Sequence, residues 1–127
     1  MSPPVSRERP TARLLHALER GDEVAVTALL HPSAYLVVDA GDRTGGQARG
    51  RARVARVLVE RLTGHPDASL ETVDVNGEPG LALRRADGAV TAVLGLAADA
   101  RGRATGLWLS TAPAKLTHWN RRPPPPE

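Results

Sequence analysis

The sequence contains no phenylalanine, no cysteine and one lysine, and its aromatic side chains are Tyr35, Trp108 and Trp119 alone. Each shortage excludes something. Without cysteine there are no disulfides and no thiolate metal sites. Without phenylalanine the core must be Leu, Val and Ala, and any pocket lacks the usual aromatic lining, so each aromatic present carries more weight. No apolar run is long enough to span a membrane. Met1–Pro10 is polar and holds no apolar signal segment, so the expected location is cytoplasmic, with no membrane partner. Lys115 is the single lysine among 17 basic side chains. The rest are arginines, which together with abundant Ala, Gly and Pro point to coding bias in a GC-rich genome. They are spread along the chain, with no dense run and no interleaved stacking aromatics. Direct nucleic-acid binding is therefore not expected, although the net charge is +3.

What is present suits one α+β domain. The chain has 127 residues, of which 41% are apolar and 24% charged, enough for one core. Residues 1–10 read as a disordered leader, 11–120 as the folded domain, and 121–127, with four consecutive prolines, as an extended tail. Leu14, Leu15 and Leu18 form a stripe on a short helix over Thr11–Arg20. Gly21 stops it, and Asp22 is placed to cap a second helix running to about His31 and ending at Pro32. Ser33–Asp39 alternates as a strand, with Tyr35, Val37 and Asp39 on one face. Ala40–Arg49 reads as a glycine-rich loop. Gly50–Thr63 is the longest helix, burying Val54, Val57, Leu58 and Leu62. Four strands follow: Leu70–Val75, Leu81–Arg85, Ala89–Ala98 and Ala104–Thr111. Turns at Asn76–Gly80, Asp87-Gly88 and Asp99–Arg103 separate them. Pro113–His118 can form one helical turn. This order predicts an antiparallel sheet covered by helices on one face.

The element order is similar to that of the SnoaL-like, or nuclear transport factor 2-like, cone. Val75-Asn76-Gly77-Glu78-Pro79-Gly80-Leu81-Ala82-Leu83-Arg84 resembles a segment of one branch, the C-terminal domain of some actinobacterial extracytoplasmic-function sigma factors. Gly102-Arg103, Leu107-Trp108-Leu109 and Pro113-Ala114-Lys115-Leu116 resemble that branch's closing strand and ending. Gly50 with Arg53-Val54-Ala55-Arg56 resembles the start of its long helix, and Val37-Val38-Asp39-Ala40-Gly41 its first strand and turn. Where the branch commonly has Arg-Asn before the last of these prolines, this chain has Thr111-Ala112. The resemblance implies a curved antiparallel sheet around a long helix, with an N-terminal helical hairpin. No sigma-factor helices stand before it, so the chain reads as a free-standing relative or an excised domain.

The polar inventory is thin. Asp39 ends a strand and is the candidate catalytic carboxylate, a general base if desolvated in a pocket. The alternative is a strand-end aspartate that hydrogen-bonds the glycine turn after it. Trp108, between Gly106 and Ser110 on its face, can wall a pocket or pack in a core. Tyr35 brings a hydroxyl that needs a partner if buried. Trp119 lies near the tail, as an outer plug or a disordered residue. His16, His31, His65 and His118 have no metal-ligand spacing, and His31 and His65 precede prolines at expected helix ends. No metal site and no cofactor are expected. Gly41, Gly45, Gly46 and Gly50 do not make a phosphate-binding fingerprint.

These readings give one leading function and two alternatives. The leading one is a non-catalytic module that binds an apolar small molecule or a protein partner, as the resemblance to sigma-factor accessory domains implies. The second is a small cofactor-independent isomerase, cyclase or hydrolase using Asp39. The third is an inert homodimer whose hollow is filled by Leu and Val. Tyr35, Asp39 and Trp108 are expected to bind the ligand around one cavity between the Gly50–Thr63 helix and the sheet. A homodimer through the open face is expected, because both sheet faces carry apolar residues.

Overall fold

The computed structural model describes residues 9–43 and 45–120, and of His118 the backbone alone. Residues 1–8 of the expected leader and the expected tail at 121–127 lie outside these. Helix α1 is Pro10–Glu19 and α2 is Glu23–Ala28. Pro10 thus belongs to the domain: it opens α1 at a position where its missing N–H costs nothing. The joint between the helices is as tight as Gly21 and Asp22 suggest. Gly21, at φ 63°, donates to Leu18, and the Asp22 N–H donates to the Ala17 carbonyl. The Asp22 carboxylate in turn accepts the Ala25 N–H at 3.0 Å, so one residue closes α1 and caps α2.

Strand β1 is Leu30–Asp39, so α2 ends before His31 and Pro32, not at them. Pairing across the sheet overrides the helical signal: Ala104 donates to the Leu29 carbonyl, and Leu30, fully buried, sits opposite Ala104. Pro32 lies where the β1 register shifts, a place where a missing donor is tolerated. His31 is therefore a strand residue, and its Nδ1 accepts the Ser33 N–H. Strand β2, Gly46–Arg49, occupies part of the expected loop and pairs antiparallel with β1. Only Ala48 of β2 is buried, which is why no alternation marks it.

Helix α3 is Arg51–Leu62, followed by β3 (Ala68–Val75), β4 (Glu78–Arg85), β5 (Val90–Ala98) and β6 (Ala104–Ser110). The turn before β4 is shorter than expected. It is Asn76-Gly77 alone, both at positive φ, which lets β4 begin at Glu78. A 3₁₀ turn over Pro113–Leu116 and the short α4, Thr117–Asn120, complete the described chain. The six strands form one curved, unclosed sheet in the order β2-β1-β6-β5-β4-β3. Strands β5 and β6 are adjacent and antiparallel, as the alternation predicts. All neighbouring pairs are antiparallel except β1 and β6, which run parallel.

The register decides which side each residue faces. Leu36 opposes Leu107, Val38 and Leu94 both oppose Leu109, and Leu81 opposes Leu94. These residues form the inner face and pack on Val54, Ala55, Leu58 and Leu62 of α3 in one cluster. Val57, expected in the helix stripe, is only partly buried and flanks it. The outer face has a partial cover. Leu116 and Trp119 pack against Ala82, Val90 and Val93. The Asn120 carboxamide pairs with both the N–H and the carbonyl of Val90. No helix among the described residues is long and apolar enough to cross a membrane.

Two outcomes test this packing. Leu58 is fully buried at the centre of α3, so Leu58→Ala is expected to cost about 2–5 kcal/mol in urea unfolding; a loss below about 1 kcal/mol contradicts the packing described. The second concerns the β5–β6 turn, where the Asp99 carboxylate accepts the N–H groups of Arg103 and Arg101. These bonds, the one to Arg103 first, hold its pKa below the ordinary value. A depressed folded-state pKa means that the contribution is present above the unfolded pKa and lost as pH falls through the folded one. Asp99→Asn should therefore lower the melting temperature at neutral pH and lose that effect in acid, below both pKa values. An equal effect at both pH values contradicts the assignment.

Candidate functional site

Strand parity puts Tyr35, Val37 and Asp39 on the outer face, opposite Gly106, Trp108 and Ser110. The expected site residues Tyr35, Asp39 and Trp108 thus share one face. It is not the face toward α3, so the expected cavity between the long helix and the sheet is a correction. Leu36, Val38, Leu107 and Leu109 take the inner positions, and the alternate residues must point outward. The space beneath α3 is packed with Leu, Val and Ala. On the helix side, a cleft of ≈ 280 Å³ opens between the ends of α1 and α3 and strand β3, with Leu18, Leu62 and Ser69 among its walls. His65, also in that cleft, donates from Nε2 to the Arg61 carbonyl at 3.0 Å.

Tyr35 and Trp108 are mechanically linked through a glycine. A Cβ at Gly106 would stand 2.7 Å from the Tyr35 ring, so the missing side chain lets tyrosine lie across β6. Tyr35 then meets Trp108 nearly edge-on, with ring centroids 5.8 Å apart and planes at 85°. The indole is braced on one side and 46% exposed on the other. Across from Trp108 on β5 stands Gly95, and beyond it on β4 Gly80. Val75 covers this small-residue row, its side chain reaching within 3 Å of where a Gly80 Cβ would be.

A groove of ≈ 590 Å³ runs over this row. Trp108, Trp119, Val75 and Pro79 are among its walls, Gly95 is on its floor, and Asp74 and Glu78 rim its hairpin end. Ser110 and Lys115 also line it. Ser110 Oγ is buried without a hydrogen-bond partner among the described residues. A second groove of ≈ 670 Å³ lies on the far side of Trp108, with Arg9, Thr11 and Ala98 among its walls. The two share Trp108, Glu78, Pro79 and Leu96 as walls, so they adjoin at the indole.

Asp39 behaves as a strand-end turn former. Its Oδ1 accepts the Gly41 N–H at 3.2 Å, and its main-chain carbonyl accepts the N–H groups of Thr111 and Ala112. Its other oxygen lies 3.9 Å from Lys115 Nζ, and both side chains are open to solvent. The residues that complete the groove, Trp119, Ser110, Lys115 and Val75, were not assigned to a site from the sequence. Ser110 had a signal in its parity with Trp108. Trp119 and Lys115 arrive through the fold-back after β6, which no local pattern announces.

No protein-family model matches the sequence, and no curated protein matches it. Solved structures share the fold. The extracytoplasmic function sigma factor SigJ of Mycobacterium tuberculosis matches at TM-score 0.62 and 22% identity, over 85% of this chain and 43% of that one. A steroid delta-isomerase from Pseudomonas aeruginosa matches at 0.59 and 19%, over 90% and 86%. A SnoaL-like protein from Burkholderia thailandensis matches at 0.56 and 18%, over 78% and 88%. The chain therefore has the SnoaL-like, nuclear transport factor 2-like fold, and at these identities the likeness is one of fold alone.

Gly106→Ala tests the linkage. The added methyl must push the Tyr35 ring aside, so the cost is expected to be about 1 kcal/mol, the worth of an aromatic pair. Nuclear Overhauser contacts between the Tyr35 ring and the Trp108 indole should disappear. Their persistence contradicts the geometry.

Proposed function

We propose that this chain is a non-catalytic binding module that works through the outer face of its sheet, with the adjoining grooves on either side of Trp108 as the docking surface for an extended segment of a protein partner. The observation that carries this reading is the braced, half-exposed indole. A large aromatic held rigidly on a sheet, beside a floor of small residues, is the usual anchor of a contact surface. An enzymatic site under α3 has less support. The one buried polar residue among the described residues is Thr11, and Asp39 is engaged in a turn on the other face. Fold neighbours include both a sigma factor and a steroid isomerase. The sigma factor fits a contact role; the isomerase fits the alternative of a small cofactor-independent enzyme.

A second reading, an apolar small molecule in the groove, is supported by Ser110. A buried hydroxyl without a partner is costly, and a ligand acceptor would satisfy it. Two copies pairing through the same face is the expected self-association. The motive for it is reduced, because Leu116 and Trp119 already supply part of the cover the sheet needs.

Peptides selected from a random library against the whole chain test the contact reading. Trp108→Ala should weaken their binding by about 30-fold, the ~2 kcal/mol of a central aromatic anchor, while costing no more than about 1 kcal/mol of stability, the worth of its pair with Tyr35. Asp39→Asn should leave their affinity unaltered. Peptides that bind Trp108→Ala as well as the parent chain contradict the proposal.

A further inference from the structure

The free edge of β3 has bonding capacity that the described chain leaves unused. Strand β3 ends the sheet on one side, so every second residue turns its N–H and its carbonyl away from β4. Among the described residues, no main-chain group of 69–75 bonds to anything beyond the β4 ladder. Proteins commonly blunt such an edge with a short strand, a proline, a lysine or a bulge. Strand β3 has none of these. Its eight residues pair one for one with β4, from Ala68 opposite Arg85 to Val75 opposite Glu78, without a register shift. The opposite edge strand, β2, has only four residues.

There is open space beside this edge. Leu70 packs on the inner cluster, and Thr72 and Asp74 share its side of the sheet, yet both are exposed. The reason is a cleft of ≈ 660 Å³ between β3 and the start of α1. Thr72, Val73 and Asp74 stand on one wall, and Arg9, Thr11 and Ala12 on the other. Charge then selects an occupant. Glu71 is paired with Arg84 of β4, whereas Asp74 has no hydrogen bond or ion pair among the described residues. A second copy joining edge to edge would set Glu71 and Asp74 of both strands side by side, with no cation on either strand, an unfavourable like-charge contact. The helix beyond the cleft also bounds the space on that side. A single extended segment with lysine or arginine on its cleft side meets neither obstacle.

We propose that the β3 edge takes an extended basic segment of a protein partner as a seventh strand of the sheet, bonded along residues 69–75. Main-chain hydrogen bonds supply the affinity, and alternate side chains supply the specificity. The segment's cationic side chains lie on the cleft side with Asp74. Its apolar ones lie on the other side and continue the row through Val73 and Val75. This edge is three strands from Trp108, so the inference does not depend on the docking surface proposed above.

The probe is a blocked heptapeptide that alternates valine and lysine, added to the whole chain and read by amide shifts and hydrogen exchange. At saturation, alternate N–H groups of 69–75 should exchange at least about 10-fold more slowly. The same peptide with glutamate for lysine should bind at least about 10-fold more weakly. Methylating the valine amides or the lysine amides should abolish binding in one case and spare it in the other, because only alternate N–H groups face β3. Thr72→Pro and Val73→Pro complete the test. One of these prolines falls where the N–H points outward, so that variant keeps the fold and should bind at least about 10-fold more weakly. If neither variant folds, the methylated pair decides. Shifts centred away from 69–75, unchanged exchange, methylated peptides that bind alike, or a folded proline variant that binds as well as the parent overturn the proposal. So does slow exchange of these groups in the free chain. If it is lost on dilution, a second copy is the occupant; if it persists at every dilution, a segment of the same chain is.

Discussion

The packing of the inner-face leucines on α3 is the interaction on which everything else rests. Leu36, Leu81, Leu94, Leu107 and Leu109 come from four strands and meet Val54, Ala55, Leu58 and Leu62 in one cluster. Because strand side chains alternate, fixing these residues inward fixes every intervening residue outward. Tyr35, Trp108 and Asp39 are on the solvent side of the sheet for that reason. A chain without phenylalanine fills its interior with branched aliphatic side chains and has its aromatics left for the outside.

The outer face then needs its own solution. A sheet with apolar residues on both sides must be covered twice. Here α1, α2 and α3 cover one side, and the fold-back through Leu116, Trp119 and Asn120 covers part of the other. The part left open is centred on Trp108, with glycine at Gly106 and Gly95 beside it. Gly106 admits the Tyr35 ring, and the tyrosine holds the indole upright. The same small residues that make the sheet surface flat leave the groove open beside the indole.

Much of the fold was legible because its signals are local. Asp22 marks the helix joint, Asn76-Gly77 and Asp87-Gly88 mark hairpins, and the stripe through Val54 and Leu58 marks the long helix. The misreadings share one cause, pairing between residues distant in sequence. Leu30 through Pro32 reads as a helix end, yet Ala104 draws it into the sheet. Gly46–Arg49 has no apolar alternation and becomes a strand because β1 offers it a partner. For the site, parity was enough to group Tyr35 with Asp39. It could not say which face lay under the helix, because Val37 and Val38 are equally apolar. Trp119 and Lys115 reach the groove only after the chain has folded back over the sheet.

The docking surface proposed for this chain lies on the outside of the sheet, around Trp108, and not in the space beneath α3. The most direct measurement is a fragment screen of small flat apolar compounds, read by methyl and indole chemical shifts on the whole chain. The account predicts saturable shifts at the Trp108 indole and at the methyls of Val75 and Val93, with Leu36, Leu58 and Leu107 unmoved. Saturable shifts centred on those three inner leucines, with Trp108 unaffected, would contradict it.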